Sequence, residues 1–503
     1  MARTRVVRVS WNVDSRVMGK KSKRKPQATP PSDILKTVEE IYAICSKDAP
    51  KDSLPEFDPL YSLLNKLESL QDPQLHRDKP DSRLQHVGAF EKWLNDYRID
   101  HSSVKIVESP VGAGLGLQAA SALQQGQPFI TIPANVMMLA SQAMEGNLGL
   151  LVSRDPLLQA MPNLSLALLL LNECFTSQSK WRPYLDLLPM DYSTPLYFTK
   201  EDFQLLNGSP TQSMSKECIK QMWNIAKLYS HLFLLSSKCP TITSCLPMFQ
   251  SGFCYRDFCW AVSSVTTRQN KIPVKGNDGS HDLALIPLWD MCNHVEGEIS
   301  TDYDPVAQQC VCYAAHSVAA GDEVCIYYGP RSNAELLLHS GFVYPNNRQD
   351  YLKIRLGLSQ SEERETREVR KVILQDLELP MTGEYKIHYG EHPIDKDLLA
   401  FARVFSASKE LLAELNSLTK AEKKSKLCTI DKLEMSDNKA LEFLQKRCEL
   451  LLMVYKRSAE EDVKLLESAT SVTTKHILAL CICEKNLLKS TVHYCKDKIS
   501  HNQ

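Results

Sequence analysis

Trp289, Asp290, Asn293 and His294 follow directly on the apolar run Leu285, Ile286, Pro287, Leu288, so polar and aromatic groups gather where a buried strand ends. Strand ends are where a rigid scaffold presents chemistry. Asp290, Cys292 and His294 are conceivable metal ligands, but no further ligands stand at a convincing spacing, and no metal is expected. Taken alone, Asn293 and His294 are better explained as satisfied buried polar groups than as a site. Ile326, Tyr327, Tyr328 and Gly329, followed by Arg331 to Glu335, read as a strand passing through a glycine turn into a helix. A phenol of pKa about 10 is a poor base at neutral pH but a good hydrogen-bond donor and acceptor, so a functional Tyr328 positions rather than abstracts. Gly112, Gly114 and Gly116 fail as a dinucleotide fingerprint, because Leu117 stands where GxGxxG needs glycine and strand character follows. They mark either a tight turn or a close approach of backbone to a ligand. No GxSxG, Walker A, HExxH or EF-hand pattern competes with these clusters.

The elements that must position them fall in two β regions separated by helix. Short strands around glycine turns run from Val104 to Ile132, and strand character resumes at Leu283 to Trp289 and at Glu323 to Tyr328. Between them, Ser141 to Trp260 has helical spacing and reads as an insert, across which the two β regions pair into one sheet system. Ile34 to Leu70 reads as helices around a loop with Pro50, Pro55 and Pro59. After about Leu358 the pattern is helical to the end, and Leu441, Leu444, Cys448, Leu451, Leu452 and Tyr455 form a one-sided stripe suited to a bundle. The expected division is a basic arm (1–32), N-terminal helices (33–80), a discontinuous α+β core (81–145 and 262–345), a helical insert (146–261) and a C-terminal helical domain (346–503).

The whole chain sets wide bounds. Its 503 residues exceed what one core accommodates. With 43% hydrophobic residues, 24% charged residues and a net charge of −1, nothing demands nucleic acid or an anionic membrane as partner. The longest apolar run, Ile477 to Cys483, is far short of the roughly 18 residues of a membrane span. Sixteen cysteines without a CxxC pair or a secretory signal suggest reduced thiols in an intracellular protein. Met1 to Lys25 carries nine Lys and Arg against a single Asp14, which predicts a solvated arm; the run Lys20, Lys21, Lys23, Arg24, Lys25 is also compatible with a nuclear signal.

Three segments carry a family resemblance that composition does not supply. Ala261 to Pro273 (AVSSVTTRQNKIP), Ala284 to His294 (ALIPLWDMCNH) and Tyr328 to Phe342 (YGPRSNAELLLHSGF) resemble the motifs of the SET-domain methyltransferases, and more closely the branch that methylates a histidine of actin. LPMDYSTPLYF at Leu188 to Phe198 and MGKKSKRK at Met18 fit that branch too. The resemblance implies a knotted β core of small strands near Asn293 and His294, and helical regions corresponding to the substrate-binding parts of the plant Rubisco-type lysine methyltransferases. It also implies S-adenosylmethionine as cofactor, actin as protein partner, a monomer, and residence in the cytoplasm or also the nucleus. The donor site it implies comprises Arg83, Ala113, Gly114, Leu115, Arg268, Asp290, Met291, Cys292, Asn293, His294, Ser340, Gly341 and Phe342. Substrate contacts are implied for Gln269, Ile272, Leu283, Trp289, Tyr303, Ile326 and Arg331, with Tyr328 and Asn270 as catalytic groups. Ala113 replaces a glutamate usual in this branch, and Lys227 aligns with an arginine, which bears on contacts to the target peptide.

The reaction so implied is displacement of a methyl group from a positive sulfur by a neutral nitrogen, which calls for alignment and water exclusion rather than a strong base. An imidazole of pKa about 6.5 is largely neutral at cytosolic pH, but only one tautomer offers its lone pair. Asn270 is expected to accept the N–H of the non-reacting nitrogen, leaving the tele nitrogen free, and Trp289 to shape the pocket against a longer lysine.

Overall fold

The computed structural model describes residues 31–49, 54–75, 83–109, 114–206, 213–274, 279–429, 433 and 435–501. The basic arm up to residue 30, Gly112 and Ala113 lie outside the described residues. Eleven strands are formed among the described residues: β1 (Val104–Glu108), β2 (Leu115–Ala119), β3 (Pro128–Pro133), β4 (Met138–Leu139), β5 (Asn270–Pro273), β6 (His281–Leu285), β7 (Thr301–Asp304), β8 (Gln309–Tyr313), β9 (Glu323–Val324), β10 (Tyr351–Gly357) and β11 (Thr382–His388).

The N-terminal strands do pair with those beyond the helical insert, but not in one sheet. Three separate three-stranded sheets form, in the orders β1-β2-β9, β3-β8-β7 and β4-β6-β5, and every pairing is antiparallel. The reason lies in strand length, since β4 and β9 are only two residues long and cannot propagate a common ladder. The strand expected over Leu283 to Trp289 ends at Leu285, and the one expected over Glu323 to Tyr328 ends at Val324. In place of the latter, Ile326 makes a parallel bridge to His294: its N–H donates to the Asn293 carbonyl, and the Val295 N–H donates to the Ile326 carbonyl. That bridge sets the Asn293–His294 segment beside the segment leading into Tyr328.

Helices enclose these sheets. Ser32–Cys45 and Leu54–Leu70 pack at the N-terminal side, and Pro59 lies inside the second helix rather than in the loop expected around it. Among its described residues the region expected as an insert forms helices and no strand, but its last helix runs from Tyr255 to Arg268, so a boundary at residue 261 falls in mid-helix. A second departure is β11, which interrupts the C-terminal helices and pairs with β10 from Tyr351↔His388 to Gly357↔Thr382. The stripe on the Asn438–Val454 helix does pack within a bundle, with Leu441, Leu444 and Cys448 buried.

Two hydrophobic cores result. The larger holds the N-terminal helices, the insert and the three sheets; the smaller holds β10, β11 and the C-terminal helices. Val472–His501 belongs to both: Ile477, Leu480 and Cys481 lie in the first core, Leu487, Leu488 and Cys495 in the second. Each fully buried leucine contributes roughly 1.5–3 kcal/mol. The C-terminal region is thereby fastened to the site-bearing region along one continuous helix.

Candidate active site

The Tyr255–Arg268 helix delivers the first half of the site because its sequence stops supporting a helix there. Ser264, Thr266 and Thr267 turn their hydroxyls back onto the carbonyls of Trp260, Val262 and Ser263, a local bond that satisfies the hydroxyl and weakens propagation. Gln269 leaves helical geometry at φ −66° and ψ 144°, and β5 begins at Asn270. Arg268, Gln269 and Asn270 therefore project from one helix-to-strand junction.

The second half follows β6. Leu288 adopts φ 69° and ψ −52°, a γ-turn of the hand disfavoured for L-residues, which stores about 1–3 kcal/mol. Its side chain is buried in the core, which holds the turn in place. The single 3₁₀ turn Trp289–Met291 comes next and presents Trp289 and Asp290. A third wall is the hairpin β7–β8, closed by Asp304, whose Oδ1 accepts from the N–H groups of Val306 and Ala307, and by Gln308 at φ 53°. The fourth runs from Ile326 to Arg331 and ends on the Asn333–Ser340 helix, where Ser332 and Glu335 form a reciprocal capping box.

These walls enclose a cavity of about 740 Å³, lined by Arg268, Gln269, Asn270, Ile272, Trp289, Asp290, Cys292, Tyr303, Ile326, Tyr328 and Arg331 among others. Its size is that of a small-ligand site. The phenol of Tyr328 donates to the Cys292 carbonyl at 2.8 Å, and burial pushes its pKa above the ordinary phenol value, so the group stays protonated and fixed. Asn270 Nδ2 donates to the Arg268 carbonyl at 3.0 Å. That bond assigns the amide orientation, because the opposite flip would set oxygen against oxygen, and it leaves Oδ1 available as an acceptor. Gln269 Oε1 is buried without a hydrogen-bond partner among the described residues.

One wall of the cavity contains a buried ion pair. Arg268 Nη1 stands 3.4 Å from Asp290 Oδ1 and donates to the Asp290 carbonyl at 2.7 Å, while the Tyr184 phenol donates to Asp290 Oδ2 at 2.5 Å. Burial opposes the Arg268 charge, but Asp290 and the surrounding phenols outweigh it, and the guanidinium is held above its ordinary pKa. Arg268 Nε remains buried and unbonded among the described residues.

A second group of residues lies outside that cavity lining. Arg83 donates to the Leu187 carbonyl at 2.9 Å; burial, then the like charge of Arg268, lowers its pKa. Two arginines near enough to disfavour each other's charge suit an anion. Gly114, at φ 85°, leaves space that a Cβ would take from the Arg83 guanidinium, and a Cβ on Gly116 would strike Glu323. Asn293 Nδ2 donates to Glu323 Oε1 at 2.6 Å. His294 Nδ1 accepts from the Tyr328 N–H at 3.3 Å, so its proton is on Nε2, and burial lowers its pKa. The His294 ring packs against Tyr328 and Phe342. Gly341, at φ 77°, ends the Asn333–Ser340 helix, and its carbonyl accepts from Ser193 Oγ at 2.6 Å.

Several sequence expectations change. Leu283 does not line the cavity: it lies on β6, the central strand, set back behind the edge strand β5. Met291 is a buried core residue, and Leu115 is buried on β2. Ser340 accepts from Arg331 at 3.5 Å and is not among the residues that line the cavity. Lys227 is half-buried near Cys45 at the packing of the Ser213–Lys238 helix on Ser32–Cys45, away from the cavity lining. Ala113 lies outside the described residues. Sequence reasoning also missed Tyr184, Glu323 and Thr301; no local pattern marks Tyr184, which meets Asp290 across 106 residues.

A model described as Rubisco LSMT substrate-binding matches residues 361–488. The fold is similar to the crystal structure of the SET domain of LSMT bound to lysine and AdoHcy, with TM-score 0.62 and 21% identity over 84% of this chain and 93% of that one. It is similar to Rubisco LSMT bound to AdoMet as well, with TM-score 0.62 and 20% identity over 83% and 93%. The molecule thus has the SET-domain fold, followed by a region similar to the Rubisco LSMT substrate-binding model. Actin-histidine N-methyltransferases from Homo sapiens and Rattus norvegicus are each 35% identical over 492 residues, covering 94% of this chain and 81% and 80% of theirs. The chain belongs to the actin-histidine N-methyltransferase family.

Proposed function

We propose that this protein transfers a methyl group from S-adenosylmethionine to the tele nitrogen of a histidine in actin. The single observation that carries the acceptor assignment is Asn270, whose amide is oriented by the Arg268 carbonyl so that Oδ1, which has no hydrogen bond among the described residues, can accept. The donor assignment is supported by Arg83, the close turn at Gly114 and the unbonded Nε of Arg268, which together fit a carboxylate-bearing ligand. When bound, S-adenosylmethionine supplies a methyl group on a positively charged sulfur; the sulfur–carbon bond breaks as the nitrogen–carbon bond forms.

The chain's own groups do the rest. Asn270 Oδ1 accepts the N–H of the non-reacting imidazole nitrogen, which selects the tautomer with its lone pair on the outer nitrogen. Tyr328, committed as donor to Cys292, keeps its oxygen lone pairs for weak C–H···O contacts with the methyl group. Trp289 and Ile326 line the space for a flat ring and exclude water. The methylated imidazolium then loses the proton held at Asn270 to solvent.

Mass spectrometry of native actin incubated with enzyme and donor tests the reading: a methylated histidine is expected, and transfer confined to lysine overturns it. Asn270→Ala should lower kcat/KM for histidine about tenfold, the weight of one buried hydrogen bond; unchanged histidine kinetics would refute tautomer selection. Gly114→Ala should weaken donor binding about tenfold by calorimetry, since it adds about 1–2 kcal/mol of left-handed strain and displaces Arg83. Equal affinity would remove that turn from the donor site.

A further inference from the structure

We infer that Thr301 is a positioning residue for the acceptor pocket, whose hydroxyl holds the Trp289 indole in the pose that favours histidine over lysine. The inference rests on the histidine reading above and adds the group that fixes its selective wall. Trp289 Nε1–H donates to Thr301 Oγ1 at 3.0 Å, the one hydrogen bond of that indole among the described residues. Both side chains line the cavity. The base of the indole is already set by the left-handed turn at Leu288, which leaves its side-chain torsions as the remaining freedom. A hydrogen bond at the far edge of the ring removes that freedom.

Thr301 is itself held from two sides. Its β-branch restricts χ1, and it pairs with Cys312 across β7 and β8. Released from Thr301, the indole is free to swing. A flat imidazole then loses its wall, whereas a long lysine side chain gains room.

Thr301→Val keeps the β-branch and nearly the same shape while removing the acceptor; Thr301→Ser keeps the acceptor. Full-length enzyme is assayed on an actin peptide carrying the target histidine and on the same peptide with lysine in its place. Thr301→Val is expected to raise KM for the histidine peptide about fivefold and to shift the histidine-to-lysine ratio of kcat/KM by about five- to tenfold toward lysine. Thr301→Ser should stay within about twofold of wild type, and donor affinity should not move in either variant. If Thr301→Val fails to fold, Thr301→Ala reads the same ratio. An unchanged ratio in Thr301→Val, with a changed one in Trp289→Ala, overturns the inference and leaves the histidine reading standing. An unchanged ratio in both removes the selective wall itself, and the inference falls with it. A lowered melting temperature with an unchanged ratio marks Thr301 as structural and also overturns the inference.

Discussion

Tyr328→Phe should lower kcat about 10²-fold while leaving the donor dissociation constant within about twofold, the range expected when one preorganised polar group is removed from a reacting centre. The phenol is buried and its proton is committed to the Cys292 carbonyl at 2.8 Å, so it is neither a base nor an anchor for the donor's charged groups. Its oxygen is a fixed acceptor, and alignment of a methyl group depends on such fixed acceptors. The ring stays put in the variant, because His294 and Phe342 pack on its faces and edge. The Cys292 carbonyl loses its donor, which costs about 1–3 kcal/mol of stability, a penalty that chemical denaturation measures separately from turnover. Single-turnover kinetics with saturating donor isolates the chemical step. A variant as fast as the parent in that assay would remove Tyr328 from the reaction.

What the sequence disclosed and what it hid follow from the range of the interactions. Arg268, Asn270, Trp289 and Tyr328 stand in contiguous motifs, and the cavity unites them because the junctions that carry them are local: a helix that stops at Gln269, a turn at Leu288, a bridge at Ile326. Tyr184 and Thr301 gave no such sign, since their importance arises only when folding brings them to Asp290 and Trp289. β10 and β11 are a different case. Leu352, Ile354 and Leu356 alternate with exposed residues, as do Tyr385 and Ile387, so a period of two was present within a region read as helical. The expectation of one sheet failed for want of strand length, a property that pairing pattern alone does not reveal. Leu283 was implied as a substrate contact by the resemblance, yet it lies on the central strand β6 and does not line the cavity, whereas Asn270 and Ile272 of the edge strand β5 do.

Arg268→Met should destabilise the protein by about 3–5 kcal/mol, because it strands the Asp290 carboxylate in the core with the Tyr184 phenol as its remaining side-chain partner. The double replacement Arg268→Met with Asp290→Leu should recover most of that loss, since removing both charges avoids the unpaired one. Donor binding should fail to recover in the double variant, because the guanidinium that suits the donor carboxylate is still missing; calorimetry therefore separates the two roles of Arg268. The pH dependence of the single variant supplies a further check. Burial already raises the Asp290 pKa, and losing Arg268 removes the pull that opposes it. A carboxylate whose folded pKa exceeds its unfolded value of about 3.9 binds more protons in the native state, so stability is greatest below that value and declines as pH rises through the folded pKa. Arg268→Met should accordingly lose stability between about pH 4 and neutrality more steeply than the parent protein. Equal destabilisation of the single and double variants, with parallel pH profiles, would show that the pair in the cavity wall carries no coupling and that Arg268 acts through packing alone.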